Sequence, residues 1–557
     1  MSTFFSEYLY EGAKLRFFPE TAKLFRIYLG KACVNGIKIV PLQVMKTNIK
    51  SFIALFAACL LCVPCRAEVR LPMVFADGMV LQQQSAVRLW GWCESFYKGV
   101  PGRQVTVTTS WDGRTYTAVS DSDGRFEVTV QTPCAGGPYE VTFNDGEQRR
   151  LRDVLIGEVW LCSGQSNMEM TMKGYKGQPV EGATEELLEC GDSLLRLFNV
   201  GKAVSLTPHR DVAGLWQKAQ TESVRNFSAT AYFFGRALRR TLGIPVGLIC
   251  TAYGGSACEA WMKAEWLESF TGGQKDVSIE GQKDVSTEGQ KDDSTEGQKD
   301  VSTEGQKDKR VLLPDEQLLK ERKQRCPTAL YNGQLAPLIG YGIKGVIWYQ
   351  GEDNVPRYDY YAELLKAMVE GWRNDWQQGE FPFYYCQIAP YDYSLIDWKD
   401  SQLLREQQLK AETMIDNARM AVLLDAGLEY GIHPRKKRVA GERLALLALG
   451  NSYEVKGLPD FATYSSVEFH GDTAVVAFDR SREWVYFENG PRSNNFEVAG
   501  EDRVFHPAET WISRNRVYVR SAEVARPVAV RYAWRDWVVG DLMHDGLPVS
   551  SFRTDDW

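Results

Sequence analysis

A serine in the segment Leu161-Cys162-Ser163-Gly164-Gln165-Ser166-Asn167-Met168 is placed to act as a nucleophile. The apolar run 154–162 predicts a buried strand, the chain breaks at Ser163-Gly164, and a helix is expected from about Ser166. The first turn of a helix carries backbone N–H groups without intrahelical partners, and these stabilise negative charge beside the hydroxyl. Attack of an alcohol on a carbonyl needs that arrangement, because the carbonyl oxygen becomes an oxyanion. The competing role for the same serine is a plain helix cap.

The alcohol also needs a base. The chain has five histidines: His209, His433, His470, His506 and His544. His433, in Gly431-Ile432-His433-Pro434, falls between a predicted strand and a predicted helix, and Pro434 favours an extended backbone before it. His470 and His506 lie in a late β region and His209 in an irregular stretch, so His433 is the preferred base. Three donors are candidates for the oxyanion: the Ser166 N–H, the Gly254 N–H in Tyr253-Gly254-Gly255-Ser256, and the side-chain amide of Gln350. Ser166, Gly254, Gln350 and Asp425 each follow a predicted strand, and in parallel sheets active residues collect at the carboxyl ends of strands.

The elements that must position them are these. Residues 68–150 read as a small β-sandwich, with strands expected at 86–92, 104–111, 125–132 and 139–144 between turn signals such as Asp112-Gly113 and Asp123-Gly124. Residues 151–450 alternate strand and helix: strands at 154–162, 244–251, 343–349, 383–388 and 420–424, and helices at 228–242, 360–372 and 437–449. That alternation predicts an α/β domain with a parallel sheet covered on both faces. Residues 451–557 return to a β pattern, read as a second β domain or a β-rich extension packed on the core. A tandem octapeptide, first seen as Gly273-Gln274-Lys275-Asp276-Val277-Ser278-Ile279-Glu280, fills residues 273–308. It lacks apolar bulk and is expected to be a solvated insertion in a surface loop.

Net charge is −7 and no basic block stands out in the body of the chain, which argues against a nucleic-acid partner. The 16 Trp, 25 Tyr and 25 Phe are assigned mostly to core packing. Met45-Lys46-Thr47-Asn48-Ile49-Lys50, an apolar run at 52–63 and a small-residue site ending at Ala67 have the pattern of a secretory signal peptide at 45–67; the run is too short to span a membrane. Residues 1–44 are then read as an over-extended N-terminus. Export to the periplasm or the medium is expected, with a lipoprotein anchor at Cys59 as the alternative. Eight cysteines lie beyond residue 67 with no C-x-x-C pair, so neither a disulfide scaffold nor a zinc site is indicated.

These residues carry a resemblance. C-S-G-Q-S-N-M at 162–168, Y-G-G-S-A-C-E-A-W at 253–261, Y-N-G at 331–333, W-Y-Q-G-E-D-N at 348–354 and I-H-P-R-K-K at 432–437 make the chain similar to the sialate O-acetylesterase family, a branch of the SGNH hydrolases. The likeness runs from Leu71-Pro72 to Gly546-Leu547-Pro548, the repeats excepted. It implies an SGNH-type, flavodoxin-like core, Ser166 as nucleophile, His433 as base, and Ser166, Gly254 and Gln350 around the oxyanion. Glu352 and Asn354 would support the Gln350 loop, with a salt-bridge partner as the other role for Glu352. Ser166 is not in a G-x-S-x-G elbow, which argues against the α/β-hydrolase class.

One departure matters. Many SGNH enzymes carry an acid three residues before the histidine, and members of the family this chain resembles often carry one two before; here those positions hold Tyr430 and Gly431. Glu429 and Asp425 are the candidates to orient His433, and a backbone carbonyl is the alternative. The expected activity is hydrolysis of acetyl esters on sialic acid, without metal or organic cofactor. Acetylxylan or another acetylated glycan is the alternative substrate, and an inert carbohydrate-binding protein the alternative function.

Overall fold

One strand joins the two halves of the architecture. In the computed structural model, which describes residues 68–95, 98–271, 311–481 and 484–557, Gln148–Gly164 (β1) is 17 residues long. Its first residues are mostly exposed and its last eleven are buried throughout. The early part pairs antiparallel with Gly136–Asn144 in the N-terminal β layers. The late part enters a sheet with Asp192–Asn199 (β2), Trp216–Ala219 (β3), Val246–Ala252 (β4), Gly345–Tyr349 (β5), Phe383–Cys386 (β6) and Ala418–Ala421 (β7). The expected boundary at 150/151 therefore falls inside a strand that serves both regions. The signal-like segment, residues 1–44 and the repeats lie outside the described residues.

Strand order is β3-β2-β4-β1-β5-β6-β7. Every neighbouring pair is parallel except β3, an antiparallel edge on β2. All residues of β4, β5 and β6 are buried, as they must be when helices cover both faces. The chain leaves β1 toward one side of the sheet and leaves β5 toward the other. That reversal opens a crevice at their carboxyl ends. The fold class read from sequence, α/β with a parallel core and flanking β-rich parts, matches at that level.

A four-residue helix, Ser166–Glu169 (α1), follows β1 directly. Ala229–Leu242 (α2) starts at Ser228, whose hydroxyl accepts from the Ala231 N–H, and stops at Gly243 in the left-handed region. Tyr361–Trp376 (α3), Ser401–Met414 (α4) and Lys437–Asn451 (α5) complete the principal helices. Trp160, Trp261, Trp348, Trp372 and Trp376 are fully buried, so the aromatic content is largely core.

The N-terminal layers hold Ala86–Ser95 against Arg125–Gln131, facing Gln104–Thr109 and Gly136–Asn144. Arg125–Gln131 alternates exposed and buried at every residue, the period of a half-buried strand. The C-terminal part forms three small antiparallel sheets and packs on the core: Arg405 of α4, fully buried, donates to the carbonyl of Arg535 at 2.5 Å, and the Gly540 N–H to that of Leu424 at 3.0 Å. All eight cysteines in the described residues are unbridged. No helix among the described residues is long and apolar enough to cross a membrane.

Candidate active site

Three strand ends are locked together by backbone hydrogen bonds. The Tyr253 N–H, after β4, donates to the Gly164 carbonyl at 3.0 Å, and the Gln165 N–H to the Tyr349 carbonyl at 3.0 Å. The fit is tight: a Cβ on Gly164 would lie 2.2 Å from the Tyr349 oxygen, so only glycine ends β1 this way. The loops leaving β1, β4 and β5 thus begin from one rigid platform.

Above it opens a cavity of about 510 Å³ lined by residues from all three loops, among them Ser166, Gly254 and Glu352, and by His433 from the loop before α5. His433 is the one histidine on this lining among the described residues. Ser166 is the first residue of α1, and the residue before it, Gln165, stands at the cap position. The serine is therefore free of capping duty and partly exposed to the cavity.

Beneath the serine runs a buried polar chain. Asn167 donates through Nδ2 to Glu352 Oε1 at 2.5 Å and to the Ile432 carbonyl at 3.1 Å, and its Oδ1 accepts from Lys437 Nζ. The residue after Ser166 thereby grips the residue before His433. Burial pushes Lys437 down to about 7 against the pull of the Glu352 carboxylate, and pushes the Glu352 carboxyl up. Burial, with the Lys437 charge added, pulls His433 down to about 4. The imidazole is neutral at neutral pH, the state a general base requires.

His433 Nδ1 lies 2.7 Å from Gln178 Oε1. An amide oxygen only accepts, so Nδ1 carries the proton and Nε2 is left with the lone pair. Tyr175, in the same tight turn as Gln178, packs its ring edge-on to the imidazole at 5.0 Å and donates its hydroxyl to the Ser166 carbonyl at 3.2 Å.

Several expected contacts are not made. Asp425 is held by the two terminal guanidinium nitrogens of Arg443, each at 2.6 Å, which satisfies its charge. Glu429 is half-buried beside the Tyr430 hydroxyl, and Gln178 occupies the ring nitrogen it was expected to hold. The Gln350 amide is fully buried and committed: Nε2 donates to the Ser256 carbonyl at 3.2 Å and Asn354 Oδ1 at 2.7 Å, while Oε1 accepts from Tyr361 at 2.9 Å. It ties the loop together instead of facing the cavity. Asn354 also accepts from the Cys258 N–H and donates to Glu259, so it braces the β4 and β5 loops against each other.

Gly254 is close to the serine; a Cβ there would sit 3.4 Å from Cβ of Ser166. Its N–H donates to Glu169 Oε2 at 2.5 Å, and Lys202 holds the other oxygen of Glu169 at 2.7 Å. Lys202, Arg325, Ile396 and Trp398 complete the walls that sequence reasoning missed. Arg325 carries an ion pair to Asp353 at 2.6 Å. No cluster of His, Cys, Asp and Glu able to hold a metal ion occurs among the described residues.

The model of a family described as carbohydrate esterase, sialic acid-specific acetylesterase, matches residues 324–436, which hold Gln350, Glu352 and His433. Sialate O-acetylesterase of Homo sapiens is 30% identical over 507 residues, covering 83% of this chain and 86% of its own. The chain belongs to the sialate O-acetylesterase family. The Mus musculus member is 28% identical over 504 residues, covering 82% of this chain and 88% of its own. Among solved structures, a carbohydrate acetylesterase from Xanthomonas citri is 33% identical, covers 88% of this chain and 100% of that one, and superposes with a TM-score of 0.73. This member of the sialate O-acetylesterase family is an esterase, and its activity is that of a carbohydrate acetylesterase.

Proposed function

We propose that the esterase works through Ser166 as nucleophile and His433 as base, on acetylated sialic acid, after export from the cell. The observation that carries this reading is that the two side chains, distant in sequence, line one cavity at the carboxyl ends of a parallel sheet. Nε2 of His433 takes the Ser166 Oγ proton as Oγ bonds to the acetyl carbon, and the carbonyl oxygen becomes an oxyanion. The Ser166 N–H is the first donor to it, joined by the Gly254 N–H once Glu169 lets go. Collapse breaks the bond to the sugar oxygen, which leaves with the proton from Nε2. Water then attacks the acetyl-serine, giving its proton to His433; acetate departs and the serine is restored. Every step balances without metal or cofactor.

Support for an anionic sugar comes from the walls. Lys202 and Arg325 each spend part of their donor set on one acid and keep further N–H groups. A sugar carrying a carboxylate suits them, while Trp398 and Ile396 offer apolar surface to an acetyl methyl or a ring face. The relatives named for sialate point the same way.

Acetate release from O-acetylated sialic acid and from acetylated xylan, by wild type and Ser166→Ala, tests the reading. The wild type is expected to prefer sialic acid, and the variant to lose about a thousandfold or more in kcat/KM on both substrates. Equal activity of the two proteins would remove Ser166 from the mechanism, and a preference for xylan would remove the sialate assignment alone.

A further inference from the structure

Gln178 stands where a carboxylate was expected. It sits in the turn Tyr175-Lys176-Gly177-Gln178, closed by two backbone hydrogen bonds between Tyr175 and Gln178 at 2.9 and 3.0 Å. Gly177 takes the left-handed conformation the turn requires, with φ of +73°. The turn delivers the Tyr175 ring and the Gln178 amide to the imidazole together. We propose that Gln178 is the positioning residue for His433, a neutral amide fixing the tautomer and angle of the base where other serine hydrolases use an acid. This rests on the reading of His433 as the base.

A neutral partner has a distinct consequence. A carboxylate at Nδ1 both orients the ring and stabilises the imidazolium formed during attack. An amide oxygen orients it and adds no charge. The other groups around the ring do not replace that charge. Lys437, the first residue of α5, is cationic in the acid range and opposes protonation. Glu352 is engaged by Asn167, and Glu169 and Asp353 are held by Lys202 and Arg325. Arg435 and Lys436 on the same loop are exposed cations, Glu429 is beside Tyr430, and Tyr175 contributes an uncharged ring. The base therefore stays unprotonated into acid, consistent with its depressed affinity for a proton. Activity is lost only as pH falls through that low value, because the protonated ring cannot accept the serine proton.

The test compares Gln178→Ala, Gln178→Glu and His433→Ala in the full chain, with melting temperature as the check on folding. Gln178→Ala is expected to lower kcat about 10- to 100-fold with KM within about twofold. Gln178→Glu is expected to move the acid limb of kcat/KM upward by about one pH unit or more, since a carboxylate beside a cation favours it by that order. Nitrogen NMR of the His433 ring reads the tautomer directly: Nδ1–H in the wild type, and a mixture in Gln178→Ala. An unmoved acid limb in Gln178→Glu, with the same tautomer in Gln178→Ala, would overturn the proposal. Full activity in His433→Ala would instead overturn the reading of His433 beneath it. If Gln178→Ala fails to fold, the Gln178→Glu profile decides alone.

Discussion

At the scale of single residues, the site is a set of donors and acceptors whose vacancies matter as much as their bonds. Ser166 sits at the first position of α1 and not at its cap, so its N–H is an orphan donor of the helix start and its hydroxyl has no capping duty. Gly254 shares the cavity because it lacks a side chain. Gly254→Ala would put a methyl 3.1 Å from Glu169 Oε2 and 3.4 Å from Cβ of Ser166. Its kcat/KM should fall about 10- to 100-fold in an acetate-release assay, with a melting temperature near that of the wild type. Arg325 is half-exposed at the cavity and keeps donors beyond its bond to Asp353. Arg325→Ala should therefore raise KM about tenfold for acetylated sialic acid and leave KM for acetylated xylan within about twofold. Equal changes on the two substrates would mean that the arginine holds the loop and does not read the sugar.

At the scale of elements, α1, the β5 loop and α5 meet in the Lys437–Asn167–Glu352 chain. Removing Lys437 leaves a buried carboxylate with no cation and Asn167 with an unmet acceptor. Lys437→Met should cost about 3 kcal/mol in chemical denaturation, and the double variant Lys437→Met/Glu352→Gln distinctly less, because the uncompensated charge is gone. A double variant worse than the single would show that the pair contributes packing and not charge. The sheet and its strand-end residues were legible because β1, β4 and β5 are apolar runs closed by Gly, β6 is an apolar run closed by Pro390, and Ser166 and His433 flank them. Helix α4 was not, since its buried face carries Ser401, Arg405 and Gln408, which blunt the apolar period. Nor was Gln178: an amide in an irregular turn has no pattern, and 255 residues separate it from the histidine it meets. Asp425 misled for the same reason, its partner Arg443 being on the next helix. Gln350 was placed at the correct strand end, but the direction of its amide depends on Ser256, Asn354 and Tyr361, which no single segment contains.

At the scale of the whole molecule, the long strand β1 makes the N-terminal β layers and the catalytic sheet continuous, and the C-terminal sheets close on α4 and β7. The described residues on either side of the repeats meet. The Val311 N–H reaches the Phe270 carbonyl at 3.4 Å, so the chain departs and returns at one point. Deleting residues 273–308 should leave kcat/KM within about twofold and the melting temperature within a few degrees, because a loop between adjacent ends costs little to shorten. A deletion variant that fails to fold would tie the repeats to the body of the enzyme. The nucleophile is tested most directly in the intact protein, by treating it with an ester-mimicking phosphonate and locating the adduct by peptide mass spectrometry. One adduct on Ser166, formed in step with loss of activity and absent from His433→Ala on the same timescale, is the predicted result; stoichiometric inactivation with the label on another residue would contradict it.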